Sequence, residues 1–176
     1  MRTATDLLAQ YAAYHRDRRN IVSHFVGVPL IVFAVGVLLT RPHMGVQGLV
    51  FTPAWIVFVL AAVWYLTRGA LGLGVATTVT VGVLIGLAHS AAAEASLAAW
   101  LAWGIGGFVV GWIIQFIGHW YEGRKPAFVD DLVGLLVGPM FVVAEALFML
   151  GWNRPLLEEI ERRVGPTQLR DLAKIG

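Results

Sequence analysis

The chain has 176 residues, of which 58% are hydrophobic and only 14% charged, with a formal net charge of +2 and no cysteine. A soluble domain carries about 25% charged residues, and one core of this size cannot hide so much apolar surface; a water-soluble globule is excluded, and lipid is the solvent that accepts the excess. The lack of cysteine excludes disulfides and thiolate-built metal sites, and the small net charge, without a basic and aromatic patch, argues against nucleic acid as a partner.

Residues 1–20 carry Asp6, Arg16, Asp17, Arg18 and Arg19 and lack the apolar stretch of a cleaved signal peptide. Their spacing predicts an amphipathic helix with Leu7, Leu8, Tyr11 and Tyr14 on one side, closed by His15. A transmembrane helix needs about 20 mostly apolar residues. Four runs meet that length: 21–40, with Asn20 as its predicted N-cap; 47–66, with Pro53 near its start; 71–93; and 96–118. A fifth run, 132–150, contains Pro139 and Glu145. Proline interrupts the helical ladder and a carboxylate is costly in hydrocarbon, so this run is expected to be broken or re-entrant. The tail, 151–176, is charged and periodic and reads as an amphipathic segment on the membrane surface.

The expected fold class is therefore all-α: a polytopic membrane bundle of four spans plus a broken fifth segment, forming one domain over residues 1–176. With that count, Arg2, Arg16, Arg18, Arg19, Arg68, Arg124, Lys125 and the basic residues of the tail face one side and only Arg41 the other. The positive-inside rule makes the first side cytoplasmic and puts both termini there, as in a bacterial inner-membrane protein. Gly72, Gly74, Gly82, Gly104, Gly106, Gly107 and Gly111 lie inside apolar runs and read as packing glycines.

The histidines carry the chemistry. His43 sits in a short loop and reads as an exposed residue. His89 lies within the third run; it is either a metal ligand or a core histidine bonded to a neighbouring carbonyl. His15 and His24 are nine residues apart and would point to opposite faces of one continuous helix. They converge only if the chain turns between them, which the Arg16–Asn20 stretch allows. The fourth span ends with Gln115, His119 and Glu122 at i, i+4 and i+7, on one face. Topology puts His15, His24 and His119 at the same boundary. Taken alone, His119 reads as an interfacial histidine with Glu122 paired to Arg124; taken together, the three suit Fe, Zn, Cu or Ni, and a mononuclear Fe(II) site of the oxygenase kind is one fit. Spacing does not choose the metal.

Two signatures carry a resemblance. The first is Tyr14, His15, Asn20, His24 and Pro29. The second is Gly111, Trp112, Gln115, Gly118, His119 and Glu122, followed by Pro126 and Ala127. With the later run holding Pro139 and Glu145, the chain from about residue 7 to 152 resembles the 2-hydroxy fatty acid dioxygenases, related to the yeast enzyme of phytosphingosine breakdown. The resemblance implies Fe(2+)-dependent α-oxidation: a 2-hydroxy fatty acid reacts with O2, loses its carboxyl carbon as CO2 and leaves an acid one carbon shorter. It implies iron held by His15, His24 and His119. Glu122 or Gln115 would orient a ligand, with Asn20 beside them, and Arg19 or Arg124 would pair with the substrate carboxylate. No family role falls on His89 or His43. Two other classes compete. One is a non-catalytic lipid-binding or assembly protein whose histidines glue helices together; the other is a metal or proton transporter, which would need polar groups through the full membrane depth.

Overall fold

The computed structural model describes residues 2–41, 44–46 and 49–172; His43 lies outside them. Helix α1 (Ala4–Ala12) is followed by a turn and by α2 (Arg18–Thr40). A two-stranded antiparallel hairpin, β1 (Met44–Val46) and β2 (Leu49–Phe51), leads into α3 (Pro53–Leu66). Then come α4 (Leu71–Ala92) and the long rod Leu97–Glu122. This rod contains α5 (Leu97–Leu101), a wider π-helical turn (Ala102–Gly106) and α6 (Gly107–Glu122). A 3-10 turn (Ala127–Val129), α7 (Gly134–Met149) and α8 (Arg154–Val164) complete the described chain.

Among the described residues three helices, α2, α4 and the Leu97–Glu122 rod, are long and apolar enough to cross a membrane; the bent pair α7 and α8 passes the same test only when taken together, and α3 is a shorter apolar helix. Their outer faces are apolar: Val22, Val26, Val79, Val83, Val109, Ile113 and Ile117 are all exposed. A band of this kind belongs in lipid.

The expected second span, 47–66, is divided. Its described first part, Leu49–Phe51, is the strand β2, and the helix that remains has 14 residues, about 21 Å of rise against a hydrocarbon core of about 30 Å. Pro53 explains the division, because it lacks an N–H and fits the first turn of a helix, where no partner is needed. Helix α3 still runs the length of the bundle. Thr52, its N-cap, meets His89 at one end, and the Arg68 carbonyl accepts from the Ala4 N–H at the other.

Helix α2 lies at the centre, against α3, α4, α6 and α7. Glycines let α6 approach it closely. A Cβ at Gly111 would lie 2.6 Å from Ile31, and one at Gly104 2.4 Å from Leu38. The expectation of packing glycines holds at Gly104, Gly107 and Gly111; Gly106 has nothing within 4 Å of where its Cβ would be.

Three local expectations need correction. Helix α1 ends at Ala12, so His15 lies in the turn after it. The N-cap of α2 is Asp17, not Asn20: its extended backbone brings a carboxylate onto the Arg19 N–H and starts the helix at Arg18. The fifth segment is broken as expected, but not at Pro139: helix α7 continues through that residue, and the chain bends by 117° after Met149, where Gly151 and Asn153 adopt left-handed backbone. Both ends of α7 stay at one end of the bundle, since Gly134 packs on Phe128 and Trp152 on Gly72. Finally, α1 and α8 pack on each other and α1 on α7, burying Leu7, Leu8, Ala12, Leu156 and Ile160.

Candidate metal centre

The turn that carries His15 is built by local hydrogen bonds. The Tyr14 and His15 N–H groups donate to the Tyr11 and Ala12 carbonyls as α1 ends, and Asp17 opens α2. This reversal sends His15 back toward His24, in the second turn of α2. His119 comes from the last turn of α6, which Gly123 closes with left-handed backbone.

The three imidazoles meet in the interior, 0%, 2% and 5% exposed. Ring centroids are 4.4 Å apart for His15 and His24, 4.8 Å for His15 and His119, and 5.2 Å for His24 and His119. One nitrogen from each ring lies within 4.8 Å of the other two. Tyr11 stacks on His15 at 4.1 Å, and Phe141 lies beside both rings, 5.2 Å from His15 and 5.0 Å from Tyr11.

Tautomers decide what this group can hold. The His15 Nδ1 lies 2.7 Å from the Tyr11 carbonyl, and the His24 Nδ1 lies 2.8 Å from the Asn20 carbonyl. A carbonyl only accepts, so each Nδ1 carries a proton and donates it. In a neutral ring the other nitrogen is then a bare acceptor. The two Nε2 atoms face each other at 2.9 Å, so two lone pairs meet in a buried place. A cation relieves that clash. Burial, with the imidazoles of His24 and His119 adding to it, holds His15 well below the usual histidine pKa, which disfavours an extra proton as the cation. A metal ion fits, because neutral rings pinned through Nδ1–H to carbonyls are what an imidazole-bound metal requires.

Glu122 hydrogen-bonds to none of the three rings. One carboxylate oxygen accepts from the Arg16 N–H at 3.0 Å, and the other from the Asp17 N–H at 2.7 Å and the Asn20 side chain at 3.1 Å. The helix that carries His119 is thereby tied to the turn that carries His15 and to the first turn before His24. The alternative pairing of Glu122 with Arg124 is replaced by these two backbone donors and the Asn20 amide. Asn20 serves twice: its amide bridges Glu122 and the Tyr14 carbonyl, and its own carbonyl fixes His24.

Arg19 grips Asp17 through two nitrogens and lies over the Tyr121 ring. Arg124 donates to the Ala13 carbonyl. Neither is placed among the imidazoles. His89 is not brought to the group: it bonds to Thr52 and to the Ile85 carbonyl, beside Trp55, at the opposite end of the bundle. The reading as a core histidine bonded to a neighbouring carbonyl describes it. Gln115 is buried, and it lines an apolar groove together with His24, His119, Ile31, Trp112 and Phe128.

Several supporting residues escaped the sequence reading. The Tyr11 ring and carbonyl, Asp17, Arg16 and the tail residues Gln168 and Arg170 all act on the site. Arg16 donates to the Ala12, His15 and Gly165 carbonyls and lies 3.9 Å from Glu145. Gln168 pairs with the turn in parallel, its N–H on the Arg16 carbonyl and its carbonyl on the Arg18 N–H. The Arg170 N–H donates to Asp17, and its side chain to the Glu122 carbonyl. The density of charge at 16–19 was the only signal for any of this.

A family model described as 2-hydroxy-palmitic acid dioxygenase Mpo1-like matches residues 1–150. The chain is 32% identical over 156 residues to the 2-hydroxy-palmitic acid dioxygenase MPO1 of Saccharomyces cerevisiae, a match covering 88% of this chain and 85% of that protein. No solved structure matches it.

Proposed function

This chain belongs to the Mpo1-like family of 2-hydroxy-palmitic acid dioxygenases, and from that membership we propose that it is a membrane-embedded, Fe(2+)-dependent dioxygenase of 2-hydroxy fatty acids. The reaction balances without an outside reductant. The 2-hydroxy acid and O2 give the acid one carbon shorter, CO2 and water; the bond between C1 and C2 breaks, and O2 takes the four electrons that the two carbons lose.

The observation that carries the reading is the pair of unprotonated Nε2 atoms facing each other at 2.9 Å beside a third buried imidazole. His15, His24 and His119 would hold the metal. Iron, when bound, supplies the one-electron chemistry by which O2 reacts with a closed-shell substrate. The Tyr11 and Asn20 carbonyls keep the Nδ1 protons in place, so the metal-facing nitrogens stay bare. Tyr11 and Phe141 close the site against water. The groove beside His24 and His119 takes the acyl chain, with Val28, Ile31 and Trp112 as apolar walls. The concentration of basic residues at the histidine end, with Arg41 at the other, supports a topology of four crossings, counting α3, with both termini cytoplasmic, as in a bacterial inner membrane.

The test is anaerobic purification, metal analysis, and oxygen uptake with 2-hydroxypalmitate. The expected results are about one iron per chain and a C15 acid with CO2 by mass spectrometry. Turnover that survives complete removal of metal overturns the reading.

A further inference from the structure

We propose that Gln115 is the specificity-determining residue of the groove, its carboxamide receiving the hydroxylated head of the substrate; this rests on the dioxygenase reading above. Gln115 is 3% exposed, and among the described residues neither its Nε2 nor its Oε1 has a hydrogen-bond partner. A buried amide with both ends unmet costs free energy, which a ligand that supplies the partners recovers.

Its position says which part of a ligand that is. Gln115 precedes His119 by one helical turn on α6. Its amide lies against α2 at Gly27, where a Cβ would come within 2.5 Å of Nε2. Gly27 in turn lies one turn beyond His24. The amide therefore sits about one turn, roughly 5 Å, deeper along the bundle than the imidazoles. His24, Gln115 and His119 line the same groove, with Val28 and Trp112 beyond them. An amphiphile entering with its chain among the apolar walls brings its C1 and C2 atoms to the imidazoles past the Gln115 amide; the other polar side chain of the lining besides the imidazoles is the Tyr11 phenol.

A primary amide offers a donor and an acceptor side by side. A 2-hydroxyl offers the complementary acceptor and donor. An unsubstituted fatty acid has a CH2 there, which leaves Oε1 unmet, and a site built to bond a hydroxyl rejects the analogue that lacks it. Gln115 thus selects 2-hydroxy acids over plain fatty acids.

The experiment measures dissociation constants of 2-hydroxypalmitate and palmitate by quenching of tryptophan fluorescence, on iron-loaded wild type, Gln115→Leu and Gln115→Met in detergent. Iron content and thermal midpoint are read on the same samples. The expected result is a wild-type preference for the hydroxy acid of about tenfold or more that falls to near unity in both variants. Iron content stays unchanged and the midpoint is equal or higher, because each variant removes unmet polar atoms without opening a cavity. A preference that persists in both variants overturns the assignment to Gln115 and leaves the dioxygenase reading standing. A lowered midpoint with the preference intact assigns Gln115 a structural role and also overturns it. Wild-type protein that binds neither iron nor 2-hydroxypalmitate overturns both.

Discussion

His15, His24 and His119 stand to one another as three donors awaiting one acceptor, so removing any one leaves two imidazoles with no third. Substituting each by alanine is expected to abolish iron binding and turnover together, with metal analysis as the check. The pH response follows from His15. In the unfolded chain its imidazole takes up a proton below about pH 6.5, whereas the folded protein holds it well below that value. Acid therefore favours the unfolded state: the contribution of neutral His15 is complete above about pH 6.5 and declines as pH drops through it. Iron occupancy falls with the same sign, since a protonated imidazole is no ligand, and a titration of thermal midpoint and iron content from pH 8 to 5 tests both. For Glu122→Gln, one carboxylate oxygen becomes an amide nitrogen facing an N–H donor, and a loss of roughly 1–3 kcal/mol is expected in denaturant titration. The imidazoles were legible in the sequence because spacing and topology put them at one boundary. The partners of Glu122 were not, since the Arg16 and Asp17 N–H groups reach it only across the fold.

The contact between α2 and α6 sets the geometry of the site, because His24 and His119 come from opposite sides of it. Its tolerance is small. A Cβ at Gly118 would lie 1.9 Å from the Ser23 hydroxyl and 2.6 Å from the Asn20 side chain, next to the residue that fixes His24. Gly118→Ala is expected to cost about 1–3 kcal/mol and to lower iron occupancy. Gly106→Ala, on the same rod with open space around it, is expected to leave both unchanged; thermal midpoints of the two variants make the comparison. The runs behind α2, α4 and the Leu97–Glu122 rod could be read from hydropathy alone. The division of 47–66 could not, because apolar composition serves a strand as well as a helix. The unbroken course of α7 through Pro139 was equally hidden, since neighbouring elements decide whether a proline ends a helix.

At the scale of the molecule, the histidine end is held shut by the two ends of the chain. Helix α1 docks on α7 and α8, and the segment after α8 returns beneath the site through Gln168 and Arg170. The matched family region ends at residue 150, so this strap lies beyond it. Truncation after Val164 is expected to lower the thermal midpoint and speed the loss of iron to a chelator, while the apolar bundle stays folded by circular dichroism. Such a closure was not legible from a charged tail, whose composition suits a membrane surface equally well. It also sets a schedule for biosynthesis. His15 and His24 leave the ribosome before most of the bundle exists, His119 arrives with the Leu97–Glu122 rod, and the strap follows it. A nascent chain therefore carries two of the three imidazoles through most of its insertion without the third, so on the iron-dependent reading proposed above the metal site is complete only after the Leu97–Glu122 rod has emerged.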